Sequence, residues 1–129
     1  MTGTSQRTLQ SPQMTTIRPA APEDAPAVAS LVRELGYPAD PAPIRERIES
    51  LRKNGDARLL VAIHDGMVAG CIQAHAYVAI EAGLQVEIVG LVVSSQRRRV
   101  GTGRALVAEV ERWAADCAAC AIVVRSNIL

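Results

Sequence analysis

The chain has 129 residues, which is enough for one hydrophobic core but not for two. Its 14 Lys and Arg against 13 Asp and Glu give a net charge of +1, which argues against a protein that binds nucleic acid or an anionic membrane surface. Because no apolar stretch approaches the roughly 20 residues of a membrane span and no hydrophobic signal segment begins the chain, we expect a soluble, cytoplasmic protein.

The N-terminal region is predicted to contain a disordered tail, a strand and a helix. Residues 1–15 are rich in Thr, Ser and Gln and cannot bury enough apolar surface to fold, and Met14 is a candidate for the true start. Residues 16–18 are typical of a short strand. Proline and acidic residues at 22–24 suit the first turn of a helix, which Gly36 ends. The apolar face of that helix comprises Ala25, Val28, Leu31, Val32 and Leu35.

A second helix and a β-hairpin are predicted next. Asp40 is placed to cap a helix that turns Ile44, Ile48 and Leu51 inward. Apolar runs at 58–63 and 68–78 flank the sequence His-Asp-Gly-Met, in which Asp-Gly indicates a tight hairpin turn. We expect His64 to be solvated in that turn.

Several polar or reactive side chains have a structural and a functional interpretation. His75 and Tyr77 share one face of the second hairpin strand, where they point either into an acceptor pocket or into the interior, and the interior is favoured. Cys117 and Cys120 have the C-x-x-C spacing, but no second pair and no suitably spaced His accompanies them. Small buried hydrophobes are therefore favoured over a zinc or redox site.

Residues 86–110 read as a strand, a basic loop and a helix. Residues 86–93 are almost entirely apolar, which predicts a central strand buried on both faces with Glu87 as its one charged residue. The apolar run at 121–124 predicts a parallel partner for this strand, and the fold class is therefore a mixed α/β sheet. Helical spacing relates Leu106, Val110, Trp113, Ala114 and Cys117.

The loop between strand and helix has the features of an anion site. Gly101 and Gly103 let the backbone approach a ligand closely, and the first turn of a helix presents unpaired amides at the positive end of its dipole. Arg98, Arg99 and Arg104 add charges that can bind phosphate oxygens through two bonds each. We predict a phosphate-bearing ligand, and the alternative is a solvated arginine loop.

Two familiar phosphate-binding patterns do not fit this loop. The chain has no Gly-Lys-Ser/Thr of the kind a Walker A loop needs. A dinucleotide fingerprint needs a small residue where Leu106 stands, and it needs a glycine closer to the strand than Gly101, which follows Val93 after seven residues. A module that binds NADP, with Arg125 on the 2′-phosphate, is kept as a less favoured alternative.

Residues 98–103, Arg-Arg-Val-Gly-Thr-Gly, instead resemble the Arg/Gln-x-x-Gly-x-Gly/Ala signature of the GNAT family of N-acetyltransferases. Residues 17–20 also look like the N-terminus of that family. The resemblance covers residues 16–129 as one acetyltransferase domain with a GNAT-like acyl-CoA N-acyltransferase fold. It implies that the acetyl group of acetyl-CoA passes to a primary amine by direct attack in a ternary complex, with no metal.

The resemblance also assigns roles to residues. Glu87 stands fourteen positions before Gly101, as a general base does in some members, and burial would suit a carboxylate to that task. The alternative is a structural Glu bonded to a neighbouring strand or an arginine. Tyr37, between the first two helices, falls where acceptors are often bound, although ordinary packing is favoured.

The remaining assignments concern the coenzyme. Backbone groups of Leu91, Val92 and Val93 would pair with the pantetheine arm, and one amide would polarise the thioester carbonyl. Asn127, in Arg-Ser-Asn, would contact the pantetheine region. The pyrophosphate would be held by Arg98, Arg99, Val100, Gly101, Thr102, Gly103 and Arg104.

The family pattern continues past the last residue of this chain with a helix and two strands. The resemblance therefore implies a C-terminally incomplete domain, in which no residue can be assigned to protonate the leaving thiolate. An unpaired strand edge at 121–124 invites association, so we expect a homodimer or a partner fragment to cover it. A catalytically impaired coenzyme A-binding remnant, or a truncated gene product, is the main alternative, and the acceptor amine is left open.

Overall fold

The computed structural model describes residues 15–96 and 101–125. Its five strands form one sheet in sequence order, antiparallel from β1 to β4 and parallel between β4 and β5. The strands are β1 (Thr16–Pro19), β2 (Ala57–His64), β3 (Met67–Ala79), β4 (Gly83–Val93) and β5 (Ala121–Val124). The helices are α1 (Ala25–Glu34), preceded by a 3-10 turn at Pro22–Asp24, α2 (Pro41–Arg52) and α3 (Thr102–Asp116). The mixed α/β sheet is as predicted.

The helices cover the sheet on opposite faces and so make two cores. On the face covered by α1 and α2, Val28 and Ile48 pack with the β2 residue Val61. On the other face, Leu106 and Val110 of α3 pack with β3 and β4. The predicted α3 stripe is only partly buried at its far end, because Trp113 and Cys117 keep some exposure. No helix in the described ranges is both long and apolar enough to span a membrane.

The β2–β3 hairpin corrects the prediction for His64. This residue is the last of β2, pairs with Met67, and is only 4% exposed rather than solvated. The turn itself is Asp65-Gly66, with φ of 55° and 74°. Two positive φ values in a row match the twist of the flanking strands, so the turn needs only these two residues and His64 stays in the sheet.

Two further predictions need correction. Asp40 is the N-cap residue of α2, but its side chain makes no capping hydrogen bond. In β4, only Val86, Ile88 and Val92 are fully buried, so the strand is not covered on both faces throughout. Two of its partly exposed residues, Gly90 and Leu91, line a cavity between α1, α2 and the sheet that is described below.

A β-bulge interrupts β4 at Val89. Ala74 of β3 faces Ile88 and Gln73 faces Gly90, so Val89 is an extra residue without a partner in register. β5 pairs with β4 only as far as Ile88, whose carbonyl accepts the Arg125 N–H at 3.1 Å. Beyond the bulge, β4 is paired with β3 alone among the described residues, which leaves its other edge open.

Candidate functional site

The start of α3 presents backbone donors without acceptors. Gly101, the N-cap, has the left-handed backbone conformation (φ 80°, ψ 16°), and its carbonyl accepts the first helical bond from Ala105 at 3.0 Å. The amides of Thr102, Gly103 and Arg104, hereafter the α3 amides, precede that bond. Within residues 15–96 and 101–125 they have no hydrogen-bond partner. A left-handed residue followed by helical ones aims successive amides at one point, which suits an anion.

A glycine in β3 allows this helix end to lie close to the sheet. A Cβ on Gly70 would lie 3.0 Å from Thr102 Cγ2 and 3.1 Å from the carbonyl oxygen of Val92. Thr102 is fully buried there, and its Oγ1 has no hydrogen-bond partner in the described part of the chain. The α3 amides fit a ligand that brings hydrogen-bond acceptors, as a diphosphate does.

Only part of the predicted phosphate loop falls within the described residues. Gly101, Thr102, Gly103 and Arg104 lie together at the start of α3, and Arg104 is exposed. The predicted site residues Arg98, Arg99, Val100 and Asn127 lie outside the described residues.

The approach to this loop is fixed by a contact that the sequence did not indicate. The Ser95 N–H donates to Oε1 of Glu34 at 3.0 Å, which ties the end of α1 to the segment after β4. The preceding Ser94 N–H donates to the Ala69 carbonyl at 2.8 Å. Glu34 looks like a solvated residue at a helix end, and no local pattern separates it from its charged neighbours.

The strand residues predicted to bind pantetheine lie on the open part of β4. Leu91, Val92 and Val93 pair with Ile72, Cys71 and Gly70 of β3 on one side. On the other side, β5 has already ended its pairing at Ile88. In an antiparallel strand alternate residues direct their N–H and C=O groups to opposite sides, so this edge carries unpaired polar groups.

Glu87 lies in a polar cluster on the α1/α2 side of the sheet. Its Oε2 accepts a bond from Arg125 Nε at 3.2 Å, and its side chain is 23% exposed rather than buried. His75 is its cross-strand partner in β3, and the Nε2 atoms of Gln73 and His75 are 2.8 Å apart. The bond to an arginine is the structural alternative raised by the sequence. It does not exclude a role in proton transfer, because Oε1 has no partner among the described residues.

A cavity of about 260 Å³ lies between α1, α2 and the sheet. Its walls are largely aliphatic, its polar side chains are Arg47 and Gln73, and its floor reaches Gly90, Leu91 and Val92. The two tyrosines that the sequence offered as possible contacts of the acceptor amine lie outside this cavity. Tyr37 is 57% exposed and Tyr77 is 39% exposed, and neither lines this cavity.

The cysteines do not form a cluster. Burial raises the pKa of Cys71 to about 12, which makes it an unreactive thiol. Cys117 and Cys120 are free thiols. No group of three or more His, Cys, Asp or Glu suited to a metal occurs in residues 15–96 and 101–125.

The NADP alternative lacks support. Only β4, α3 and β5 form a parallel strand–helix–strand unit among the described residues, and the strands before β4 are antiparallel, whereas a dinucleotide-binding domain is built from two βαβαβ halves. Arg125, its supposed phosphate ligand, is bonded to Glu87.

Comparison with known proteins identifies the architecture. The sequence model described as the acetyltransferase (GNAT) family matches residues 25–127. A GNAT family acetyltransferase from Staphylococcus aureus superposes with a TM-score of 0.77 at 22% identity, over 88% of this chain and 87% of that one. These findings confirm the predicted acyl-CoA N-acyltransferase fold. No curated protein matches the chain in sequence.

Acetyltransferases that are named for different acceptors share this fold. The aminoglycoside N-acetyltransferase AAC(6′)-Iy in complex with CoA superposes with a TM-score of 0.77 at 17% identity, over 88% of this chain and 78% of that one. A ribosomal-protein-alanine N-acetyltransferase from Brucella melitensis superposes with a TM-score of 0.69 at 20% identity, over 90% and 81%. The fold is therefore compatible with more than one class of amine.

Proposed function

The chain belongs to the GNAT family of acetyltransferases, and we propose that it transfers the acetyl group of acetyl-CoA to a primary amine. The transfer is a direct attack within a ternary complex of protein, acetyl-CoA and amine. The observation that carries the proposal is the set of α3 amides beside the left-handed Gly101, which have no hydrogen-bond partner among the described residues. The helix dipole adds partial positive charge at the same point, so the pyrophosphate of coenzyme A is held there.

The arginines of the loop complete this site in our proposal. Arg98, Arg99 and Arg104 supply guanidinium groups, and Val100 contributes its backbone amide to the same ligand. The open edge of β4 then receives the pantetheine arm as an added strand, with Asn127 contacting the same arm. The open edge supports this step, because Leu91, Val92 and Val93 have no β5 partner in the described residues.

Bound acetyl-CoA supplies an acyl group activated as a thioester. One amide from residues 91–93 donates a hydrogen bond to the thioester carbonyl and stabilises the negative charge that develops on its oxygen. The attacking amine must be neutral, because its lone pair forms the new C–N bond. An alkyl amine has a pKa near 10 and is mostly protonated at neutral pH, so a base has to remove a proton.

Glu87 is the base in this proposal. Its free oxygen, Oε1, accepts a proton from the amine while Arg125 holds Oε2 in position. The neutral nitrogen then adds to the carbonyl carbon and becomes positively charged. The C–S bond breaks, coenzyme A leaves as a thiolate, and the nitrogen releases its second proton to water to form the amide. No residue is assigned to the proton that the thiolate later takes up.

The test is a thiol-release assay with acetyl-CoA and a panel of amines, combined with calorimetry for coenzyme A binding. Turnover with any amine, together with saturable binding, supports the enzyme. Binding without turnover across the panel would instead favour the alternative, a coenzyme A-binding remnant that has lost activity. The absence of both would overturn the proposal.

We further propose that residues 16–129 form one domain, that the protein acts in the cytoplasm, and that it is a homodimer. Three free cysteines fit a reducing compartment. The open side of β5 exposes Ile122 and Val124, at 36% and 59% exposure, which supports association through that strand. No metal is part of the proposed mechanism.

A further inference from the structure

We propose that the acceptor is a compact apolar amine that also carries an anionic group, such as a branched-chain α-amino acid. This inference rests on the proposed acetyltransferase function and names the substrate class for it. The cavity between α1, α2 and the sheet would hold the apolar group, and Arg47 at its rim would hold the anion.

The position of the cavity connects it to the reaction. Its floor includes Gly90, Leu91 and Val92, the part of β4 that is open beyond the bulge. Gln73 lines the same cavity and is bonded to His75, the cross-strand partner of Glu87. A small molecule in the cavity therefore lies against the proposed thioester position, and Gln73 connects it through His75 to the strand position opposite Glu87.

The walls of the cavity favour an apolar occupant. The side chains from both helices that reach it are aliphatic except for Arg47, and the sheet contributes Leu59 and the uncharged thiol Cys71. A volume of about 260 Å³ is at the small end of ligand pockets, which start near 300 Å³. The size and the largely aliphatic lining therefore favour a compact apolar group over a bulky polar one.

The charged residues around the cavity favour an acceptor with an anionic group over a polycationic acceptor. No Asp or Glu is among the lining residues that the structure describes. Two carboxylates on this side of the sheet already have partners, since Asp24 is bonded to Arg18 and Glu87 to Arg125. Arg47 has no ion pair or hydrogen bond in the described part of the chain, so its guanidinium is available to a carboxylate.

Three amines test the substrate class. L-leucine has the apolar group and the carboxylate, 3-methylbutylamine has the apolar group alone, and an aminoglycoside is polycationic. We expect kcat/KM for L-leucine to exceed that for 3-methylbutylamine by about two- to fivefold, as suits an ion pair at an exposed rim. The aminoglycoside should not be acetylated. Preference for the aminoglycoside would overturn the inference.

Two variants with matched controls locate the groups. Arg47→Ala should remove the advantage of L-leucine, whereas Arg52→Ala, an exposed arginine on the same helix, should keep it. Gly90→Leu should raise KM for L-leucine by about tenfold, because a Cβ at Gly90 meets no atom within 4 Å and the added side chain occupies the cavity. Gly55→Leu, an exposed position with equal space, should leave KM unchanged.

The results distinguish this inference from the proposed function. If Gly90→Leu alters the preferred acyl chain length but not the amine KM, the cavity holds the acyl group and the inference is wrong. Amide chemical shifts of Gln73 and Gly90 during titration with L-leucine report binding without any transfer. Chemical-shift changes without turnover would support the cavity as a binding site and reject the proposed enzymatic function. Turnover of other amines without chemical-shift changes from L-leucine would support the enzymatic function and reject the cavity as the acceptor site.

Discussion

Glu87 and its partners show what single residues decide in this protein. A lone acid in an apolar strand suggested a buried base, whereas the structure has a half-buried carboxylate bonded to Arg125. The pairing follows from topology, because the parallel register brings the end of β5 beside β4. Neither the register nor the bulge that ends it is encoded in local sequence, so the sequence raised an arginine partner as an alternative but did not identify Arg125.

The role of Glu87 is tested by Glu87→Gln. The amide keeps the shape of the side chain but cannot accept a proton from the amine, so turnover at neutral pH should fall by about 100-fold. Coenzyme A affinity should be retained. The control is Glu81→Gln, an exposed residue between β3 and β4. Unchanged kcat in Glu87→Gln would remove Glu87 as the base.

Asp24 gives a prediction for acid stability. Two bonds from Arg18 and one from the Ala21 N–H lower the pKa of Asp24 from its ordinary value, against the opposing effect of burial. A lowered pKa means that the ion pair stabilises the fold above the unfolded pKa of about 3.9 and that this contribution is lost as pH falls further.

Asp24→Asn should therefore cost about 1–2 kcal/mol at pH 7, the lower part of the range typical of a hydrogen bond that involves a charged group. Arg18 is partly exposed, so solvent screening limits any larger effect. Urea unfolding across pH 7 to 3 should show the difference between wild type and variant shrinking in acid. Asp56→Asn serves as the exposed control, and a constant difference at all pH values would contradict the assignment.

At the scale of elements, the sequence predicted every helix and strand of the described residues. It did not predict the close contacts between these elements. Alternation and helical spacing identify β2, β3 and α3 because each buries one face. The boundaries shift where a turn is tighter than expected, as at Asp65-Gly66. The close approach of α3 to β3 at Gly70 depends on tertiary packing. A single glycine in a strand does not predict such a contact.

Gly70→Val tests this approach. The added side chain would press on Thr102, Leu106 and the Val92 carbonyl, so we expect a loss of about 1–3 kcal/mol in the free energy of unfolding. Displacement of the α3 start should also weaken coenzyme A binding. Gly90→Ala, where a Cβ meets no atom within 4 Å, is the control for a glycine in a strand. Equal stability of Gly70→Val and wild type would refute the tight packing.

At the scale of the whole molecule, the two faces of the sheet have different roles in the proposed function. In our proposal, the α3 side supplies the amides for the coenzyme, and the α1/α2 side supplies the acceptor cavity. The glycines and arginines of one short segment predicted the proposed coenzyme site. The cavity was not predictable, because its shape arises from residues of two helices and three strands that are distant in sequence.

The proposed homodimer is tested by light scattering on the purified protein. Two exposed β-branched side chains on β5, Ile122 and Val124, should make self-association favourable. We expect a mass of about twice that of the 13.7 kDa chain. Ile122→Lys should shift the protein to the monomer, since charge on an edge strand opposes pairing. A monodisperse wild-type monomer would contradict the dimer.

Calorimetric titration with coenzyme A and with pantetheine, which lacks the pyrophosphate, tests the central claim that the α3 amides bind a diphosphate. Wild type should bind coenzyme A at least about 100-fold more tightly, and Gly101→Asp should abolish this difference by placing negative charge at the site. The control is Gly36→Asp, which places the same side chain at another exposed glycine with positive φ and so strains the backbone similarly. This variant should keep the difference in affinity between coenzyme A and pantetheine. Equal binding of the two ligands by wild type, or undiminished coenzyme A binding by Gly101→Asp, would contradict the account.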